Sequence, residues 1–214
     1  MHTEDLRFSV GSETLAATRI LASSGEPPSI VSFHGTGTTA HRGRIRYVLD
    51  FLAERGVSSA CFDFSGHGES SGPFEAANLG VRIREAFQAA TLLCPPSPRG
   101  IIGTSMGARL AAVLSPQLHP RTLILFCPAA YSCDQAESPA FAGLRQFEGK
   151  LLIIAGRKDE VSGAETVERY AASAPAADSK VIWLEQCGHA IHPWLGEHET
   201  ERAAVLEEIV AAIS

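Results

Sequence analysis

The sequence predicts an α/β fold: a doubly wound, mostly parallel sheet in three αβα layers, with an antiparallel hairpin at its N-terminal edge. Short apolar runs alternate with segments of helical spacing along most of the chain. Runs such as "RTLILFCP" and "KLLIIAG" are continuously apolar, as strands buried on both faces require. No internal repeat interrupts the alternation, so right-handed crossovers into one sheet account for it.

Taken in order, "LRFSV" and "TLAATRI" flank "GSE" and predict the edge hairpin. "PPSIVSF" (27–33) predicts a buried strand, and "HRGRIRYVLDFLAERG" a helix with Ile45, Val48, Leu49 and Leu52 on one face. "VSSACFDF" (57–64) predicts the next strand and residues 78–93 the next helix, stopped by the "CPPSP" break. Then come a strand in "RGIIGTS", a helix in "MGARLAAVL", and the two apolar strands already quoted. A helix near 163–173, a strand in "SKVIWLE" and an amphipathic helix "ETERAAVLEEIVAAI" close the chain.

A chain of 214 residues is expected to form one domain over 1–214. Its 45% hydrophobic and 20% charged content are ordinary for a soluble protein. The net charge of −6 provides no basic surface for nucleic acid or anionic membrane, which directs attention to a small-molecule or acyl-group partner. The five cysteines are odd in number and never form a CxxC pair, as free thiols in a reducing compartment would. "MHTEDLRFSV" lacks the basic and apolar regions of a signal peptide, and no segment is long enough to span a bilayer, so a cytoplasmic location is expected. Oligomeric state is not legible.

In doubly wound sheets, ligands bind beyond the carboxyl ends of the strands. Gly103-Thr104-Ser105-Met106-Gly107 lies between a strand and a helix, the context in which G-x-S-x-G lifts a serine hydroxyl above the sheet edge. The alternative is a small residue capping a helix. A serine hydroxyl needs a base, and the base needs a carboxylate to orient it. Asp159 in "GRKDEV" and His189 in "EQCGHAIH" follow two later strands, with Glu160 and His192 as their rivals. The order Ser, Asp, His belongs to this sheet type. "FHGTGTT" (33–39) offers the backbone N–H of Thr36 to a developing oxyanion, and Met106 offers the second. A metal site from His34, His67, His189, His192 and Asp63 lacks the helical H-E-x-x-H context.

The H-G turn at 34–35, "DFSGHGESSG", "GTSMGA", "GRKDEV" and "CGH" together resemble the α/β-hydrolase superfamily over nearly the whole chain. The resemblance implies that fold and acyl hydrolysis through a serine triad, without metal or organic cofactor. It also makes Asp63 and His67 architectural, in a loop that shapes the pocket wall. Only "CPAAYSCDQAESPAFAGLRQFEGK" stands where many relatives insert a helical cap, so no cap domain is expected, and at most one short helix covers the site. Ser162 stands where a proline is common in the acid loop, which strengthens Glu160 against Asp159.

The expected function is hydrolysis of a small carboxylic ester or thioester through an acyl-enzyme intermediate. Alternatives are a non-catalytic ligand-binding or interaction protein on the same fold, an acyl peptidase, or a carbon–carbon bond hydrolase. His34, Gly35, Phe74 and Tyr131 are the candidate substrate-binding residues, while Phe141 and Trp194 suit either pocket wall or core. Cys187, beside the candidate histidine, reads as a small buried hydrophobe.

Overall fold

The chain runs from an antiparallel hairpin, β1 (His2–Val10) and β2 (Glu13–Leu21), into β3 (Ile30–Phe33), β4 (Ser59–Phe62), β5 (Gly100–Thr104), β6 (Thr122–Phe126), β7 (Lys150–Gly156) and β8 (Asp178–Leu184). The computed structural model describes residues 1–37, 40–74, 78–129 and 138–214. In it these strands form one eight-stranded sheet in the order β1-β2-β4-β3-β5-β6-β7-β8. β2 pairs antiparallel with both β1 and β4, and all other neighbours are parallel. The chain moves from β3 outward to β4, then crosses back past β3 to β5. The direction of winding therefore reverses at β3, and a crevice opens at the carboxyl ends of β3 and β5.

Seven α-helices cover the two faces among the described residues: α1 (Arg46–Glu54), α2 (Leu79–Leu93), α3 (Met106–Leu118), α4 (Pro139–Leu144), α5 (Ala164–Ala172), α6 (Ile191–Glu197) and α7 (Glu199–Ile213). Alternation along the central strands divides the core in two. Val31, Phe33, Ile101, Leu123, Leu125, Leu151 and Ile153 pack with residues of α2, α3, α4 and α5. Ile30, Ile102, Ile124, Phe126, Leu152 and Ile154 pack with α1, α6 and α7. Strands apolar on both faces read as unbroken hydrophobic runs for this reason.

Ile45, Val48, Leu49 and Leu52 are all buried, although the predicted helix begins with a 3-10 turn, Arg42–Ile45, before α1. Two helices were not resolved by spacing. α6 occupies a stretch that reads as loop because Pro193 and Gly196 interrupt it, and α4 is one short helix between β6 and β7. β1 begins at His2, earlier than its apolar run, because paired backbone extends it through polar positions opposite β2. Among the described residues four cysteines, Cys61, Cys94, Cys127 and Cys187, are buried and unpaired, while Cys133 lies outside them. Among the described residues no helix is long and apolar enough to cross a membrane.

Asp63, just beyond β4, is fully buried. It accepts the backbone N–H groups of Arg42 at 2.6 Å and Glu69 at 3.1 Å and pairs with the Arg42 guanidinium. Arg42 also bonds Glu69 and Thr18. This carboxylate fastens the loop after β4 to the 3-10 turn after β3, which is the architectural role expected of Asp63.

Candidate active site

Ser105 sits between β5 and α3 at φ 52°, ψ −110°, a left-handed conformation. The turn is held by its backbone: the Ser105 N–H donates to Phe126 O at 2.8 Å, and its carbonyl accepts from Arg109 and Ala129. The flanking glycines are required by close approach. A Cβ on Gly107 would lie 2.1 Å from Phe33 O, and one on Gly103 2.5 Å from Ala108 Cα. The first turn of α3 thus presses against the end of β3, leaving the serine at the crevice.

Asp159 follows β7 and His189 follows β8. His189 Nδ1 lies 2.8 Å from Asp159 Oδ2, and Nε2 lies 3.1 Å from Ser105 Oγ. The second carboxylate oxygen, Oδ1, accepts the N–H groups of Val161 and Ser162, both at 2.8 Å. Burial alone would raise the Asp159 pKa, but the hydrogen bond from His189 and those from Ser162 and Val161 outweigh it and hold the carboxyl below its ordinary value. With Asp159 ionised, Nδ1 carries the imidazole proton and Nε2 offers its lone pair to the serine. Serine, histidine and carboxylate, read from three separate strand ends, therefore form one hydrogen-bonded chain.

The rivals stand elsewhere. Glu160 is exposed, and the bond to His189 comes from Asp159. His192, on α6, is buried with both ring nitrogens engaged, Nε2 by Thr104 Oγ1 at 2.8 Å and Nδ1 by the Tyr47 hydroxyl at 3.1 Å. Burial and the nearby charge of Arg44 push its pKa down to about 3, so it is a neutral structural imidazole.

His34 is likewise neutral, pushed down to about 3 chiefly by burial. Its Nδ1 donates to Gly35 O at 2.6 Å and its Nε2 accepts the Phe64 N–H at 3.0 Å, which fixes the turn leading to Thr36. A Cβ on Gly35 would stand 3.4 Å from Ser105 Cβ, so this turn runs alongside the serine. Thr36 and Ser105 line one cavity of about 300 Å³, together with His34, Gly35, His189 and His192. Met106 is the first residue of α3, where backbone N–H groups lack intrahelical acceptors and the helix dipole favours negative charge.

Phe74 is not in the wall of that cavity. It is partly exposed, with its ring 4.9 Å from that of His67. Tyr131 lies outside the described residues. Phe141 packs against Tyr170 in the core, and Trp194 stacks on His198. His67 is buried on Ser65 O and on the His34 ring, a packing position.

Sequence reading missed His41 and Arg44, which also line the cavity. They lie in a segment whose only legible signal was helical spacing. It also missed Cys127, whose sulfur, with one ligand-type atom each of Asp159 and His189, forms a group within 4.8 Å. Burial, then the Asp159 charge, pushes that thiol well above its ordinary pKa, so it stands as a protonated neighbour of the carboxylate. The Cys187 thiol is also buried and pushed up to about 11.

The solved structures similar to this one share its fold at low identity. A predicted CIB-like hydrolase from Thermoplasma acidophilum is 17% identical, with 98% of each chain covered and a TM-score of 0.76. A serine hydrolase without lid from Xanthomonas campestris is 18% identical over 89% of this chain and 87% of that one, with a TM-score of 0.69. Est1E from Butyrivibrio proteoclasticus, solved with ferulic acid, is 18% identical over 93% and 99%, with a TM-score of 0.71. No curated protein matches the sequence. A family model described as an alpha/beta hydrolase domain matches residues 27–214, every strand of the parallel sheet and every residue of the serine, histidine and carboxylate chain included. With that match over most of its length, the chain belongs to the alpha/beta hydrolase family.

Proposed function

We propose that the chain is a serine hydrolase of small carboxylic esters or thioesters, acting as one domain without a separate cap. The observation that carries the reading is the continuous path Asp159–His189–Ser105, at 2.8 and 3.1 Å, ending at a cavity. His189 Nε2 takes the Ser105 proton as Oγ attacks the substrate carbonyl, and the N–H groups of Thr36 and Met106 receive the oxyanion. Asp159 holds the Nδ1–H tautomer and stabilises the imidazolium. Collapse expels the leaving group, which takes the proton from His189, and leaves an acyl-serine. Water then attacks that acyl group with His189 again as base, releasing the carboxylic acid and restoring the serine.

A cavity of about 300 Å³ falls at the small end of ligand pockets and favours short acyl groups. The lidless serine hydrolase among the similar structures supports an open site of this kind. The test is labelling with a fluorophosphonate probe, located by peptide mass spectrometry, beside turnover of 4-nitrophenyl esters from acetate to decanoate. Label on Ser105 that is lost in Ser105→Ala and His189→Ala, with turnover greatest for short chains, is the expected result. Folded wild-type protein that neither labels nor turns over any ester would leave a ligand-binding role instead.

A further inference from the structure

The wall of the cavity beside Ser105 is mostly apolar, with Ile45 and Ile191 buried along it. Its polar residues fall into groups. Thr36, His41 and Arg44 are exposed to solvent. His34 and His192 are buried, and both ring nitrogens of each are engaged within the protein. Ser105 and His189 are taken up by the proposed reaction. Among the described wall residues this leaves Thr104, half-buried at the end of β5, whose hydroxyl has one bond, to His192 Nε2 at 2.8 Å.

A hydroxyl both donates and accepts, so a single bond leaves part of its capacity free. His192 decides which part. Burial holds that ring neutral, with its pKa pushed down to about 3, so one nitrogen carries a proton and the other a lone pair. Its second partner is the hydroxyl of half-buried Tyr47, 3.1 Å from Nδ1, which has no other hydrogen bond among the described residues. The ring is confined between those of Phe126 and Tyr47, at 4.9 and 5.9 Å between centroids. A phenol is more acidic than an aliphatic hydroxyl and is the stronger donor to an imidazole lone pair. The bonds then run one way: Tyr47 O–H to Nδ1, Nε2–H to Thr104 Oγ1, each polarising the next. That direction leaves the Thr104 proton free, in the cavity wall and one residue before the reacting serine.

We propose that the Thr104 hydroxyl is a specificity-determining hydrogen-bond donor, oriented by His192 and Tyr47 as positioning residues, that selects esters or thioesters carrying an ether, hydroxyl or carbonyl oxygen near the scissile bond. The proposal rests on the serine hydrolase reading and names its substrate class. An apolar cavity with one oriented donor favours a ligand with a matching acceptor, because the analogue without it leaves the donor unpaired.

Two measurements test it. The first reads the ring: long-range proton–nitrogen correlation spectra of the wild-type imidazoles, with His192 assigned by its loss in His192→Gln, should show the Nε2–H tautomer. An Nδ1–H tautomer overturns the proposal, because the Thr104 proton then points to the ring. The second reads selectivity with pairs that exchange one methylene for an ether oxygen. On the acyl side 4-nitrophenyl methoxyacetate is compared with 4-nitrophenyl butyrate, and on the leaving-group side 2-methoxyethyl butyrate with butyl butyrate. Relative to wild type, the kcat/KM ratio of ether to alkyl member should fall about fivefold in Thr104→Val for at least one pair and be restored in Thr104→Ser. Ratios unchanged by Thr104→Val in both pairs overturn the proposal, while ester turnover and Ser105 labelling leave the hydrolase reading intact. Absence of turnover and of Ser105 label in folded wild type sinks both. Circular dichroism of each variant separates lost specificity from lost folding.

Discussion

Asp63, after β4, and Asp159, after β7, have side chains with no solvent exposure, and each accepts two backbone N–H bonds. They differ in the cation each faces. Asp63 meets the Arg42 guanidinium, which keeps its proton at any physiological pH, so the pair acts as a fastener between two loops. Asp159 meets the His189 imidazole, whose side chain remains 30% exposed and whose other nitrogen faces a serine. The same buried carboxylate is a clamp beside a fixed charge and, in the proposed reaction, an orienting group beside one that exchanges protons. Burial and hydrogen bonding alone do not tell the two apart; the partner does.

The largest expected effects break the Asp159 side. Ser105→Ala and His189→Ala should each lower kcat on the order of 10⁶-fold, read by initial rates on a short nitrophenyl ester. Asp159→Asn should lower it about 10⁴-fold by removing the charge that fixes the His189 tautomer, with Ser105 labelling slowed in parallel. Asp159 also carries a pH signature. Its folded pKa lies below the ordinary 3.8, so the stability it contributes is fully present above that value and is lost as pH falls through the lowered one. Acid titrations of unfolding free energy should therefore be flatter below pH 4 in Asp159→Asn than in wild type.

Breaking the Asp63 side should act on folding. Arg42→Met leaves a buried carboxylate unpaired and is expected to cost about 3–5 kcal/mol by denaturant unfolding. Ser105 should still take the fluorophosphonate label in whatever fraction remains folded. A loss of labelling per folded molecule as large as that of Asp159→Asn would erase the contrast between the two carboxylates. Gly107→Ala sharpens the geometric side of the comparison, since its new methyl meets Phe33 O and must push α3 from β3. About 1–3 kcal/mol of stability should be lost, together with ester turnover. The smallest effect is Tyr47→Phe, which removes one hydrogen bond from His192 and should lower unfolding free energy by about 1 kcal/mol without moving the pH dependence of turnover.

The serine turn, the two partners at later strand ends and the alternation of elements were legible because each rests on a local rule. Glycine before and after Ser105, a strand before it and a helix after it are all neighbours in sequence. Asp159 and His189 are the residues the sequence favours over Glu160 and His192, but both members of each pair follow the same strand, and it is tertiary contacts that separate them. α6 hid for a related reason: its proline and glycine argue against a helix, and packing of Ile191 and Leu195 into the core stabilises it instead. Arg44 gave no sign at all, since an arginine in a helical stretch looks the same whether it faces solvent or a cavity.

Ser105 holds a left-handed backbone conformation that costs a side-chain-bearing residue on the order of 1–3 kcal/mol. Glycine at this position would relieve that cost, so drift toward greater stability runs downhill to a protein without the hydroxyl. A lineage released from use would be free to take that step, and the serine would be among the first residues to go. The hydroxyl at position 105 therefore stands in the chain at the expense of backbone stability.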